Sequence, residues 1–136
     1  KRGDVIVLDV REYRFTGTQF LIKRLIALEG DALYCEDSQI YIRYAGTEEF
    51  VPYDDPHGNY AGDEHYDFSL YEVGENEIFF LGDNRTNSRD SRYKDGLSHF
   101  TDRLYTVDDI YGVVPEWAIK YKSVLKYIPG MRVDNT

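Results

Sequence analysis

The chain has 136 residues, enough for one domain with its own core, and its single cysteine, Cys35, rules out an internal disulfide framework. A formal net charge of -9 opposes binding to phosphate backbones, so nucleic acid is not expected as a partner. No apolar run approaches the roughly 18 residues needed to cross a bilayer, and Lys1-Arg2-Gly3-Asp4 opens no signal peptide, so the chain reads as a soluble domain.

Val5-Ile6-Val7-Leu8-Asp9-Val10 is short and β-branched after Gly3-Asp4, the pattern of a buried strand. Thr18 to Leu28 reads as a longer strand that closes at the Glu29-Gly30-Asp31 turn. Cys35 then falls in strand-like sequence as a half-buried thiol, and Gln39 to Arg43 alternates with a period of two. Together these segments suggest a meander.

Residues 44 to 76 differ from what flanks them. They hold Pro52, Pro56, nine acids and no lysine or arginine, while the rest of the chain balances 16 acids against 16 bases. The stretch reads as an acidic inserted subdomain or flap, mobile and removable without unfolding the core. Glu77 to Leu81 is another buried strand, followed by a polar run from Gly82 to Arg92. Thr106 to Ile110 suggests one helical turn with Thr106 as N-cap and acids in its first turn. Strand character resumes from Ile110 to Tyr121, where Pro115 points to an edge or bulge. The expected fold is a mostly antiparallel β domain built from residues 1–43 and 77–128, with 129–136 as a frayed tail.

Lys23 lies in the middle of an apolar strand, where a charge is normally refused. In extended chain it shares a face with Leu21, Leu25 and Ala27, while Phe20, Ile22, Arg24 and Ile26 share the other. A lysine base near neutral pH needs its pKa lowered by about two to three units, at ~1.4 kcal/mol per unit, and burial among aliphatic groups can supply that. A lysine that merely snorkels to water is the structural alternative. The loop Gly82-Asp83-Asn84-Arg85-Thr86-Asn87-Ser88-Arg89-Asp90-Ser91-Arg92 mixes charges, amides and hydroxyls directly after an apolar strand. Asp83 and Asp90 can pair with Arg85 or Arg92 and so present Ser88 at a defined place.

These segments resemble the type I signal peptidases. Arg2-Gly3-Asp4-Val5-Ile6-Val7, Lys23 to Asp31 and Gly82 to Arg92 occur in the family's order. The last matches Gly-Asp-Asn-Arg-x-Asn-Ser-x-Asp-Ser-Arg at every specified position. The second departs from Lys-Arg-x-x-Gly-x-Pro-Gly-Asp, because Ala27 and Glu29 replace the glycine and the proline. The resemblance implies a signal-peptidase-like antiparallel β scaffold with a Ser/Lys dyad and no cofactor or metal. It implies cleavage of exported preproteins after small residues, the Ala-x-Ala pattern, at the extracytoplasmic face of a membrane. Lys23 matches the general base and Ser88 the serine that orients its amine. Asp83, Asn84, Arg85, Asp90 and Arg92 match supporting positions. An extended peptide is expected to add at the edge near Phe20, Leu21 and Ile22. The family's nucleophilic serine and membrane anchor precede Arg-Gly-Asp and have no counterpart here, so the chain alone is expected to be inactive.

Three other readings are weaker. A LexA-like self-cleaving domain lacks the Gly82 to Arg92 motif. A non-catalytic assembly factor of signal-peptidase architecture, as in pilus assembly, has no need of Lys23 and Ser88. Metal binding through His57, His65, Asp54, Asp55, Asp63 and Asp67 matches no zinc or EF-hand spacing.

Overall fold

The computed structural model describes residues 1–9, 20–55, 67–83, 91 and 105–118, and the backbone of 133–134. It is a mostly β domain of two sheets. Strands β1 (Val5–Asp9), β2 (Phe20–Leu28), β3 (Ala32–Glu36), β4 (Gln39–Arg43), β5 (Val51–Pro52), β6 (Phe68–Glu72), β7 (Ile78–Leu81), β8 (Ile110–Val113) and β9 (Val133–Asp134) follow in chain order. The first sheet runs β7-β2-β1-β8, with β9 paired to β2, and the second runs β5-β4-β3-β6. Every pairing is antiparallel except that of β9. Among the described residues no helix is long and apolar enough to cross a membrane.

Strand β2 is the keel. It has β1 on one edge and β7 on the other, and its residues are buried from Phe20 to Ala27. Such a strand can carry apolar side chains on both faces, which explains the near-continuous hydrophobic run. Leu21 and Leu25 face a cluster with Ile6, Leu8 and Phe80. Ile26 faces a second cluster with Leu33, Ile42 and Phe79, which joins the two sheets. The simple alternation expected for β2 fails at one place. Its register with β7 shifts between Leu25 and Ala27, and this bulge turns Ala27 into the second cluster, away from the face of Lys23.

The meander expected from the first strands is also corrected. β2 does not pair with β3; the chain crosses to the other sheet at Glu29-Gly30-Asp31. Gly30 has φ +88°, and a Cβ there would sit 2.8 Å from the Ala45 Cβ, so the crossing needs glycine for both conformation and space. The returning chain passes alongside, with Gly30 N–H donating to Val73 O (3.0 Å) and Val73 N–H to Asp31 O (2.8 Å).

The Asp31 carboxylate sits at this crossing with its side chain fully buried. It accepts two bonds from the Arg2 guanidinium, at 2.7 and 2.8 Å, and the backbone N–H groups of Leu28 (2.9 Å) and Ala45 (2.8 Å). Burial pushes its pKa up, but the Arg2 hydrogen bonds, the two N–H donors and the Arg2 charge outweigh this and hold it below the usual carboxylate value. Replacing Asp31 by asparagine is expected to cost about 3 kcal/mol at neutral pH, because an amide group then confronts donors. The folded-state pKa is depressed, so the wild-type stabilisation is complete above the unfolded value near ~4 and is lost as pH falls through the folded value. Urea unfolding at neutral and acid pH checks this: the gap between wild type and Asp31→Asn should narrow as pH falls.

Residues 44–76 supply β5 and β6, the outer strands of the second sheet. The rings of Phe68 and Tyr71 pack on Phe79 at 5.4 and 4.9 Å, and Val73 is buried. Burial, followed by a hydrogen bond to Glu77 and that residue's charge, pushes the Tyr71 hydroxyl well up, so it stays protonated. Cys35 is fully buried, not half-buried, with Sγ 3.7 Å from Asp67 Oδ1.

The turn at Thr106 is a 3-10 turn over Val107–Asp109 with a reciprocal cap. Asp108 N–H donates to Thr106 Oγ1 (3.3 Å) and Thr106 N–H to Asp109 Oδ2 (2.8 Å). β8 follows as an edge strand and stops before Pro115. In the tail, expected to fray, Val133–Asp134 instead pairs with β2.

Candidate active site

Lys23 sits in β2 directly opposite Ile6 of β1 and is only 2% exposed. Its position in the alternation, before the bulge, places it on the face that carries Leu21 and Leu25, beside Ile6 and Leu8. Its side chain is thus enclosed rather than presented to solvent. The snorkelling alternative does not fit a side chain this deeply enclosed.

The next residue, Arg24, projects to the opposite face and is 4% exposed. Its Nε and Nη2 donate to the two carboxylate oxygens of Asp83, at 3.1 and 2.8 Å, and its Nη1 donates to Gly3 O at 2.9 Å. One guanidinium therefore joins the start of β1, the lysine strand and the end of β7. A bidentate pair of this kind fixes orientation as well as distance. The sequence also predicts that Asp83 pairs with Arg85 or Arg92 of its own loop, both of which lie outside the described residues. Arg24 was not singled out, although an arginine directly after a lysine in an apolar strand was the available signal.

Ser91 anchors the other end of the loop. It is buried, and its Oγ accepts the Phe80 N–H at 3.0 Å. Phe80 lies in β7, an edge strand among the described residues, so this hydroxyl satisfies a ladder donor that no described strand takes. Ser91 was also missed as a site residue, because the sequence shows a hydroxyl but not which backbone group it meets. The residues between these anchors, among them Asn84, Arg85, Ser88 and Asp90, lie outside the described residues, as does Arg92.

Phe20, Leu21 and Ile22 are all buried. Leu21 belongs to the core beside Ile6 and Leu8, and the Phe20 ring meets Tyr111 edge-on at 5.1 Å. What these residues offer to a peptide is therefore chiefly their backbone. Asp67, one of the acids considered for a metal, receives the N–H groups of Asp37 and Ser38 at 2.9 Å each, closing the β3–β4 hairpin where both residues have positive φ. His57, His65 and Asp63 lie outside the described residues.

Comparison with known proteins gives a consistent result. The model of the family described as signal peptidase, peptidase S26, matches residues 1–127. Signal peptidase I S of Bacillus subtilis (strain 168) is 34% identical over 103 residues, 74% of this chain and 52% of that protein. Signal peptidase I P of Bacillus subtilis subsp. natto is 34% identical over 114 residues, 82% of this chain and 55% of its own length. The chain thus spans about half the length of these relatives. A crystal structure of a signal peptidase I from Enterococcus faecalis V583 matches with a TM-score of 0.56 and 23% identity, covering 85% of this chain and 96% of that one, a likeness of fold.

Proposed function

The chain belongs to the signal peptidase family, peptidase S26, and from that premise we propose that it forms most of the catalytic domain of a serine endopeptidase that removes signal peptides from exported preproteins after small residues. The observation that carries this reading is the burial of Lys23 on β2, next to an Arg24 that clamps Asp83 near the start of the loop bearing Ser88. The proposed dyad consists of Lys23 and a serine supplied by polypeptide outside this chain. Membrane attachment at the extracytoplasmic face belongs to the same proposal.

In this mechanism the neutral Lys23 amine takes the proton of the serine hydroxyl as its oxygen attacks the scissile carbonyl. It then gives that proton to the leaving amine, forming an acyl-enzyme. Water, deprotonated by the same amine, hydrolyses the ester. The Ser88 hydroxyl orients the amine, as a carboxylate orients a catalytic histidine. Arg24–Asp83 and Phe80–Ser91 hold the two ends of the loop that presents it.

The test is cleavage of a preprotein bearing Ala-x-Ala by the full-length protein and by this chain alone. Cleavage by the first and none by the second is expected, and activity in the isolated chain would overturn the assignment of the nucleophile. Ser88→Ala is expected to lower kcat by roughly 10- to 1000-fold with little change in KM, since it removes an orienting hydrogen bond and leaves the base in place. Steady-state kinetics on the full-length variant reads this directly.

A further inference from the structure

Strand β9 pairs parallel with β2, Val133 opposite Phe20 and Asp134 opposite Leu21. On β2, β1 holds one edge, with Asp9 opposite Phe20 and Leu8 opposite Leu21. The other edge is held by β7, but only from Arg24 to Leu28. β9 therefore takes the part of that edge that β7 leaves open, and its last partner lies two residues before Lys23. A strand edge is recognised through main-chain hydrogen bonds, so any extended segment can occupy it, whatever its side chains.

The proposed peptidase reading brings with it the expectation that an extended peptide adds near Phe20, Leu21 and Ile22, and with β1 holding the opposite edge this is the edge such a peptide would take. Resting on that reading, we propose that β9 is an intramolecular competitor, seated on the peptide-binding edge beside Lys23 and required to leave before an extended preprotein segment can add there. Its attachment is suited to exchange. It spans two residue pairs in parallel register, against five antiparallel pairs between β1 and β2. Because it is tethered, even so short a strand competes at a high effective concentration. An occupied edge lowers apparent substrate affinity in proportion to the fraction of molecules left open.

Proline at either position of β9 removes a main-chain donor and constrains φ, so Val133→Pro and Asp134→Pro should release the strand whichever residue supplies the ladder bond. The probe is a synthetic peptide carrying an Ala-Gln-Ala segment, titrated against this chain and both variants by calorimetry, with amide hydrogen exchange read at Phe20 and Ile22, whose N–H groups alternate away from β1. Both variants are expected to bind the peptide about five- to tenfold more tightly. Without peptide their exchange at these amides should be faster than in wild type, and peptide should slow it again. Equal affinity in all three proteins, with these amides protected by the peptide, would remove β9 as a competitor while leaving the edge as the binding site. Peptide protection elsewhere, or no binding once the edge has been opened, would overturn the edge assignment and the competitor with it.

Discussion

Replacing Lys23 with alanine in the full-length protein is expected to abolish preprotein cleavage, lowering kcat by roughly 10⁴-fold or more while a folded domain remains. From Phe20 to Leu28 the only ionisable side chains are Lys23 and Arg24. Arg24 cannot substitute, since its guanidinium is committed to Asp83 and Gly3 and carries no lone pair to accept a proton. Lys23→Ala also leaves a void in a packed face, so Lys23→Met is the cleaner partner variant: it fills similar space and offers no base. Single-turnover cleavage and thermal unfolding of both variants separate chemistry from folding. Substantial activity in Lys23→Met with a normal unfolding transition would end the lysine-base assignment.

Deleting residues 46–75 and closing the gap with a short glycine linker is expected to abolish cooperative unfolding. Composition suggests the reverse, that the acidic stretch can be removed without harm. The deletion takes β5 and β6 from the second sheet and strips Phe68 and Tyr71 from Phe79 and Val73 from the core. Burial of Val73 and partial burial of Phe68 and Tyr71 contribute about 3–5 kcal/mol, a large share of the ~5–15 kcal/mol that holds a whole domain folded. It also removes the Gly74 N–H and the Tyr71 hydroxyl from the buried Glu77 carboxylate. Thermal unfolding followed by circular dichroism decides: a sharp transition near the wild-type midpoint would show that the second sheet does not need β6.

What the sequence made legible divides along the range of the forces involved. β1, β2, β4, β7 and the Thr106 turn could be read because each is signalled by its own residues, by β-branched runs, by alternation or by a capping threonine. The break between β2 and β3 could not be read, because Gly30-Asp31 signals a turn without saying whether the strands on either side pair. β6 was hidden for a related reason. Phe-Ser-Leu-Tyr-Glu is exposed along much of its length, and only its pairing with β3, more than thirty residues earlier, makes it a strand. At the site, the isolated Lys23 showed as a charge inside an apolar run. Its support did not, because the Arg24–Asp83 pair spans 59 residues of sequence and depends on the two faces of β2.

The placement of the acidic segment on one sheet gives the molecule a handle for electric fields. Glu48, Glu49, Asp54, Asp67, Glu72 and Glu75 are exposed on or beside the second sheet, while the chain outside 44–76 is electrically balanced. A body charged at one end is turned by a field gradient as well as pushed by it. Near an anionic surface the exposed acids described on and beside the second sheet are repelled. This repulsion acts within a screening length of about 8 Å at physiological salt and reaches farther in dilute buffer.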